Sequence, residues 1–135
     1  MVYVFDSSML YYIIRGRPTI IKERIKKALL AGDELVIPAN VMDDVMRTTQ
    51  KMNSPELEDH ISHILEFFDI DFDSEKISKD IYKKLIKWLK KKRIDPRGID
   101  LKTAAYTAAR GGILVSAEKH KYDKIEGLKV EDWTM

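Results

Sequence analysis

Two kinds of apolar run recur along this chain. Val2-Tyr3-Val4-Phe5, Leu35-Val36-Ile37 and Ile113-Leu114-Val115 are apolar at nearly every position, the pattern of a short parallel strand buried on both faces. Between them lie longer stretches apolar on one helical face. Asp6-Ser7-Ser8 offers capping side chains for a helix over Met9–Arg15, punctuated by Gly16 and Pro18. Pro18-Thr19 opens a second helix with Ile21, Ile25, Ala28 and Leu29 on one face and Gly32 beyond its end. Pro38 closes the second strand. A helix follows from about Ala39 to Met52, with Val41, Met42, Val45 and Met46 as its stripe.

Ser54-Pro55-Glu56 has the form of a helix start, a capping hydroxyl followed by Pro in the first turn. Leu57, Ile61, Ile64, Leu65 and Phe68 carry that helix inward, and residues 68–72 form a short strand. Asp73-Ser74 caps a long helix with Ile77, Ile81, Leu85, Trp88 and Leu89 on one side, broken by residues 92–98. Asp100 opens an alanine-rich helix over Leu101–Arg110, stopped by Gly111-Gly112. Leu128-Lys129-Val130 supplies a closing edge strand. Strands alternating with helices predict a three-layer α/β/α domain: a central parallel sheet of four to five strands flanked by helices, spanning residues 1–135 as a single domain. In such sheets ligands bind at the carboxyl ends of the strands, near a switch in strand order.

Composition narrows the chemistry. The 135 residues include no cysteine, which excludes disulfides, thiolate metal sites and cysteine nucleophiles. No apolar stretch approaches the ~20 residues that span a bilayer, and the amino terminus has no signal-like pattern, so a cytoplasmic protein without membrane contact is expected. Net charge is +2, but it is unevenly placed. Lys76 to Arg97 holds ten basic and two acidic residues, while the rest holds fourteen basic and twenty acidic. That segment is either a phosphate-facing element, with Lys91, Lys92, Arg93 and Arg97 as candidates for contact with a phosphate backbone, or a solvated helix. His60 and His63 are three residues apart, but no third ligand for zinc accompanies them.

The acids mark the site. Asp6 follows the first strand directly, Glu118 lies just past the strand at 113–115, Asp100 opens a helix, and Asp44 sits in the helix after the second strand. Each on its own could be a cap, a turn residue or a solvated side chain. Together at one sheet edge they would repel unless a cation neutralised them, and an all-oxygen donor set favours Mg²⁺ or Mn²⁺.

Four segments, in order, resemble the PIN-domain nucleases: Tyr3-Val4-Phe5-Asp6-Ser7-Ser8-Met9-Leu10, Ile37-Pro38-Ala39-Asn40-Val41-Met42-Asp43-Asp44-Val45, Asp100-Leu101-Lys102-Thr103-Ala104-Ala105, and Leu114-Val115-Ser116-Ala117-Glu118-Lys119. The second acid of that family is usually Glu, where this chain has Asp44, with Asp43 competing for the role. The fourth is usually Asp, where this chain has Glu118. The resemblance implies a PIN fold and a Mg²⁺- or Mn²⁺-dependent endoribonuclease, a hydrolase of RNA phosphodiester bonds. It implies Asp6, Asp44, Asp100 and Glu118 as catalytic acids, with Asp6, Asp100 and Glu118 on the metal and Ser7, Ser8 and Ser116 in support. Small prokaryotic members are often VapC-type toxins of toxin–antitoxin pairs, which implies RNA as substrate, a small antitoxin as partner and a homodimer. An RNA-processing nuclease outside such a pair, and a catalytically silent PIN-like module binding RNA or protein, are the alternatives.

Overall fold

The computed structural model describes residues 1–16 and 19–135. In chain order the elements are β1 (Val2–Phe5), α1 (Ser7–Arg15), α2 (Thr19–Leu30), β2 (Glu34–Pro38), α3 (Ala39–Met52), α4 (Pro55–Leu65), β3 (Asp69–Asp71), α5 (Ser74–Lys92), α6 (Leu101–Ala109), β4 (Ile113–Val115), a 3₁₀ turn at Lys119–Tyr122, and β5 (Val130–Glu131). The strands form one sheet in the order β3-β2-β1-β4-β5. Every pairing is parallel, with Val4 beside Val36 on one side and Leu114 on the other. The predicted three-layer α/β/α architecture is the observed one.

Successive strand residues point to opposite faces, and the core divides accordingly. Phe5, Leu35, Ile37 and Val115 face a layer built from α1, α2 and α3, through Met9, Leu10, Ile21, Ile25, Val41 and Val45. Val4, Val36 and Leu114 face the other way, onto Ala104 and Tyr106 of α6 with Tyr122 and Ile125. α6 is mostly small residues, so its backbone lies close to the sheet, and Tyr106 fills the remaining space with no exposed surface. The Tyr106 hydroxyl donates to Asp71 at 2.5 Å and accepts from Arg110 at 2.7 Å; burial, with the carboxylate of Asp71, raises its pKa to about 12. No described helix is long and apolar enough to cross a membrane.

The sequence expectations need several corrections. Leu29, Met46 and Ile77 are exposed, whereas the polar Thr49, Ser74, Ser78, Thr103 and Thr107 are buried. A helical stripe specifies a face only to within a residue at its margins, and hydroxyls that bond to backbone can be buried cheaply. Thr49, Ser78 and Thr107 each donate to a carbonyl three or four residues back. Asp73 makes no side-chain cap to α5. Its neighbour Ser74 instead accepts from the Ala39 amide at 2.9 Å, tying α5 to the start of α3. The closing strand lies at Val130–Glu131, later than expected. The expectation that Pro18 opens α2 falls outside the described residues.

Gly112 precedes β4 at a crowded place. A Cβ there would stand 2.7 Å from the Val2 carbonyl oxygen, a backbone atom with little room to yield. Gly112→Ala is therefore expected to destabilise the fold by about 1–3 kcal/mol, the usual cost of overpacking, measured as a lower urea midpoint. An unchanged midpoint would mean that β1 and β4 are not held at this separation.

Candidate active site

The chain leaves β1 toward β2 on one side and returns at β4 on the other. This switch in strand order opens a cleft at the carboxyl edge. Asp6 follows β1 and is only 4% exposed. It caps α1: Oδ1 accepts from the Met9 amide at 3.0 Å and from Ser8 Oγ at 2.7 Å, and Oδ2 accepts from the Tyr122 hydroxyl at 3.3 Å. Burial raises its carboxyl pKa, and these hydrogen bonds offset part of that rise. Ser8 Oγ also accepts from the Ala117 amide at 3.0 Å and lies 3.3 Å from Ser116 Oγ, which in turn accepts from the Glu118 amide at 3.0 Å. Two serines thus stitch the end of β1 to the end of β4.

Asp100 caps α6 in the same manner. Its Oδ1 accepts from the Thr103 amide at 3.1 Å, and its Oδ2 accepts from Thr103 Oγ1 at 2.5 Å. Asn40 on α3 donates from Nδ2 to Thr103 Oγ1 at 3.0 Å and to Asp100 Oδ1 at 3.5 Å. Asp44 stands one helical turn beyond Asn40, on the same face of α3. It lines the cleft, whereas Asp43 is exposed away from it.

Asp6, Asp44, Asp100 and Glu118 all line one cleft of about 190 Å³, with Ser7 and Ser8. Lys121 enters the same cleft and pairs with Glu118, Nζ to Oε2, at 2.6 Å. Tyr122 forms the buried wall. Burial and the neighbouring carboxylates of Asp6, Asp100 and Glu118 push its phenol far above the ordinary range, so it stays protonated and donates to Asp6.

The donor chemistry suits a hard divalent cation: every charged donor is a carboxylate, and the most buried one carries a desolvation cost that a cation would relieve. Among the described residues no three carboxylates or imidazoles stand close enough to cage a bare ion.

The PIN domain family model matches residues 3–128. The chain belongs to the PIN domain family. Among curated proteins this PIN domain is similar to Ribonuclease VapC1 of Haemophilus influenzae strain R2866, 25% identical over 135 residues and covering 99% of both chains. Among solved structures it is similar to VapBC-1 from nontypeable Haemophilus influenzae, with TM-score 0.81 and 25% identity over the whole of both chains. It also shares its fold with VapBC2 from Rickettsia felis bound to a DNA fragment from their promoter, with TM-score 0.86, 19% identity, and 98% of this chain and 99% of that chain covered.

Other candidates of this PIN domain lie elsewhere. Lys91, Lys92, Arg93 and Arg97 are exposed and stand outside the acid cleft. Arg97 folds back on Asp95, with Nε 2.8 Å from Oδ2. Four residues of the cleft network escaped the sequence reading: Asn40, Thr103, Lys121 and Tyr122. A cue existed for Asn40, which precedes Asp44 by one helical turn, and for Thr103, which follows Asp100 at capping distance. Nothing local marked Lys121 or Tyr122.

Proposed function

We propose that this PIN domain is a Mg²⁺- or Mn²⁺-dependent endoribonuclease and the toxin of a VapBC-type toxin–antitoxin pair. One observation carries the reading: Asp6, Asp44 and Asp100, from three separate segments, line a single cleft at the switch in strand order. End-to-end similarity to a protein named Ribonuclease VapC1 supports RNA as the substrate.

Asp6 and Asp100 would hold the ion, directly or through water, and Asp44 would complete the set. When bound, the ion polarises the scissile phosphate and lowers the pKa of a bound water. The chain's own residues fix the geometry. Ser8, Met9 and Tyr122 orient the Asp6 carboxylate, and Thr103 and Asn40 orient Asp100. Ser7 offers the cleft a hydroxyl for a phosphate oxygen. Lys91, Lys92, Arg93 and Arg97 steer the strand from outside the cleft, in a salt-sensitive manner.

The partner reading draws on the VapBC complexes among the similar structures and on a separate groove. This groove, about 670 Å³, runs between α2 and α4 and is lined by Ile25, Leu29, Leu30, Ile64, Phe67 and Phe68. Leu30 is 80% and Phe67 56% exposed, apolar surface that suits an amphipathic helix of a small antitoxin. A homodimer in the cytoplasm completes the reading.

Purified protein is expected to cleave single-stranded RNA with Mg²⁺ or Mn²⁺, to lose that activity in EDTA, and to regain it when the metal is returned. Binding of RNA without cleavage under either metal would replace the nuclease by a silent binding module. Growth arrest on expression, relieved by the product of a small gene immediately upstream, tests the toxin role. Absence of both would leave a nuclease outside any such pair.

A further inference from the structure

The cleft has an electrostatic problem as a receptor for RNA. Four carboxylates line it, and among the described residues lining it Lys121 supplies the sole positive charge. A polyanionic strand must approach this wall, so each cation inside it affects binding strongly.

Lys121 is also firmly placed. It lies on the 3₁₀ turn Lys119–Tyr122, whose two ends are both anchored. The Glu118 amide donates to Ser116 Oγ, the Lys121 amide donates to the Glu118 carbonyl at 2.9 Å, and the next residue, Tyr122, is fixed on Asp6 through its hydroxyl. The Lys121 side chain is 38% exposed and that of Glu118 44%. The ammonium therefore meets both its carboxylate and solvent at the cleft. It has three donors, and one carboxylate does not exhaust them. Among the described residues, Glu118 is in turn the one acid of the four with an ammonium against it. Asp6 and Asp100 accept from neutral amides and hydroxyls, which leave their negative charge intact for a metal.

We propose that Lys121 is a substrate-contacting residue of this site, its ammonium binding an RNA phosphate beside the aspartates, and that Glu118 positions Lys121 rather than ligating the metal. The proposal rests on the ribonuclease reading above. It divides the four acids into three that face the ion and one that holds an internal cation. The strand then meets a positive charge supplied by the protein next to the one supplied by the metal.

Two measurements on the full chain test it. First, binding of a single-stranded RNA oligonucleotide is followed by fluorescence anisotropy in EDTA across a salt series. Lys121→Gln is expected to weaken binding several-fold and to lower the log–log salt slope by about 0.7, the value for one lost phosphate contact on a single strand, and Lys121→Arg to restore both. Second, Mn²⁺ binding is measured by calorimetry without RNA. Glu118→Gln is expected to keep the wild-type affinity within about twofold, and Asp100→Asn to lose at least tenfold, as expected for a metal-holding group. An unchanged salt slope in Lys121→Gln, or Mn²⁺ binding lost in Glu118→Gln as in Asp100→Asn, overturns the proposal while wild-type cleavage leaves the ribonuclease reading standing. A wild-type protein that neither binds nor cleaves RNA overturns both.

Discussion

Replacing Asp6 by Asn is expected to lower RNA cleavage by at least about 100-fold and, in metal-free buffer at neutral pH, to make the protein harder to unfold. Both effects come from one placement. Asp6 is buried at the end of β1, and burial raises its pKa in the native state. The unfolded chain therefore ionises this carboxyl at lower pH than the folded chain does. Below the ordinary carboxylate range both states hold the proton and no penalty exists. As pH rises through the native pKa the folded state must bear a buried charge, and stability is lost. Asn keeps an oxygen to accept from the Met9 amide and from Ser8, and carries no charge. Its advantage should be roughly 0.5–2 kcal/mol, the range common for one stabilising substitution, present at neutral pH and vanishing in acid. Added Mg²⁺ should stabilise the wild type and not the variant. Thermal unfolding at pH 7 and pH 3, with and without Mg²⁺, checks all of this; a variant less stable than wild type at pH 7 in EDTA would contradict it.

The second large effect is structural. Phe5→Ala is expected to cost about 3–5 kcal/mol, a large share of the ~5–15 kcal/mol that holds a typical domain together. Phe5 has no exposed surface. Its ring packs edge-on against Phe68 at 4.9 Å and Trp133 at 5.3 Å between centroids, so truncation removes two aromatic contacts and leaves a cavity. Because Phe5 is the last residue of β1 and Asp6 the next, cleavage should fail at denaturant concentrations where most of the chain remains folded. Phe5→Leu should cost less and retain activity. Urea midpoints of the two variants, read beside their cleavage rates, test the link; equal midpoints would show that the aromatic contacts contribute little.

Much of this was legible in the sequence because local chemistry and the final structure agree. The strands at residues 2–5 and 113–115 were readable because a doubly covered strand is apolar on both faces, and α1 and α6 because Asp6 and Asp100 are caps. The strand order was not readable: parallel crossovers place β4 beside β1 rather than β3 through packing among distant segments. The cleft acids could be nominated from their positions after strands and at helix starts. Their supports could not. Thr103 sits at a buried position that an apolar-stripe reading assigns to alanine and leucine, and Tyr122 reaches Asp6 across more than a hundred residues of chain. Lys121 lies in a stretch without periodicity, and its meaning comes only from the turn that carries it into the cleft.

The two margins of the sheet bear on how copies of this protein can meet. β3 is three residues long with Asp69 and Asp71 at its ends, and β5 is two residues long. Short, charged margins offer little backbone for another strand to zip onto. Self-association by continuing the sheet from one molecule to the next, the route toward fibrils, is thereby discouraged at both sides. Contact between copies at these margins would have to rest on side chains rather than on a shared backbone ladder.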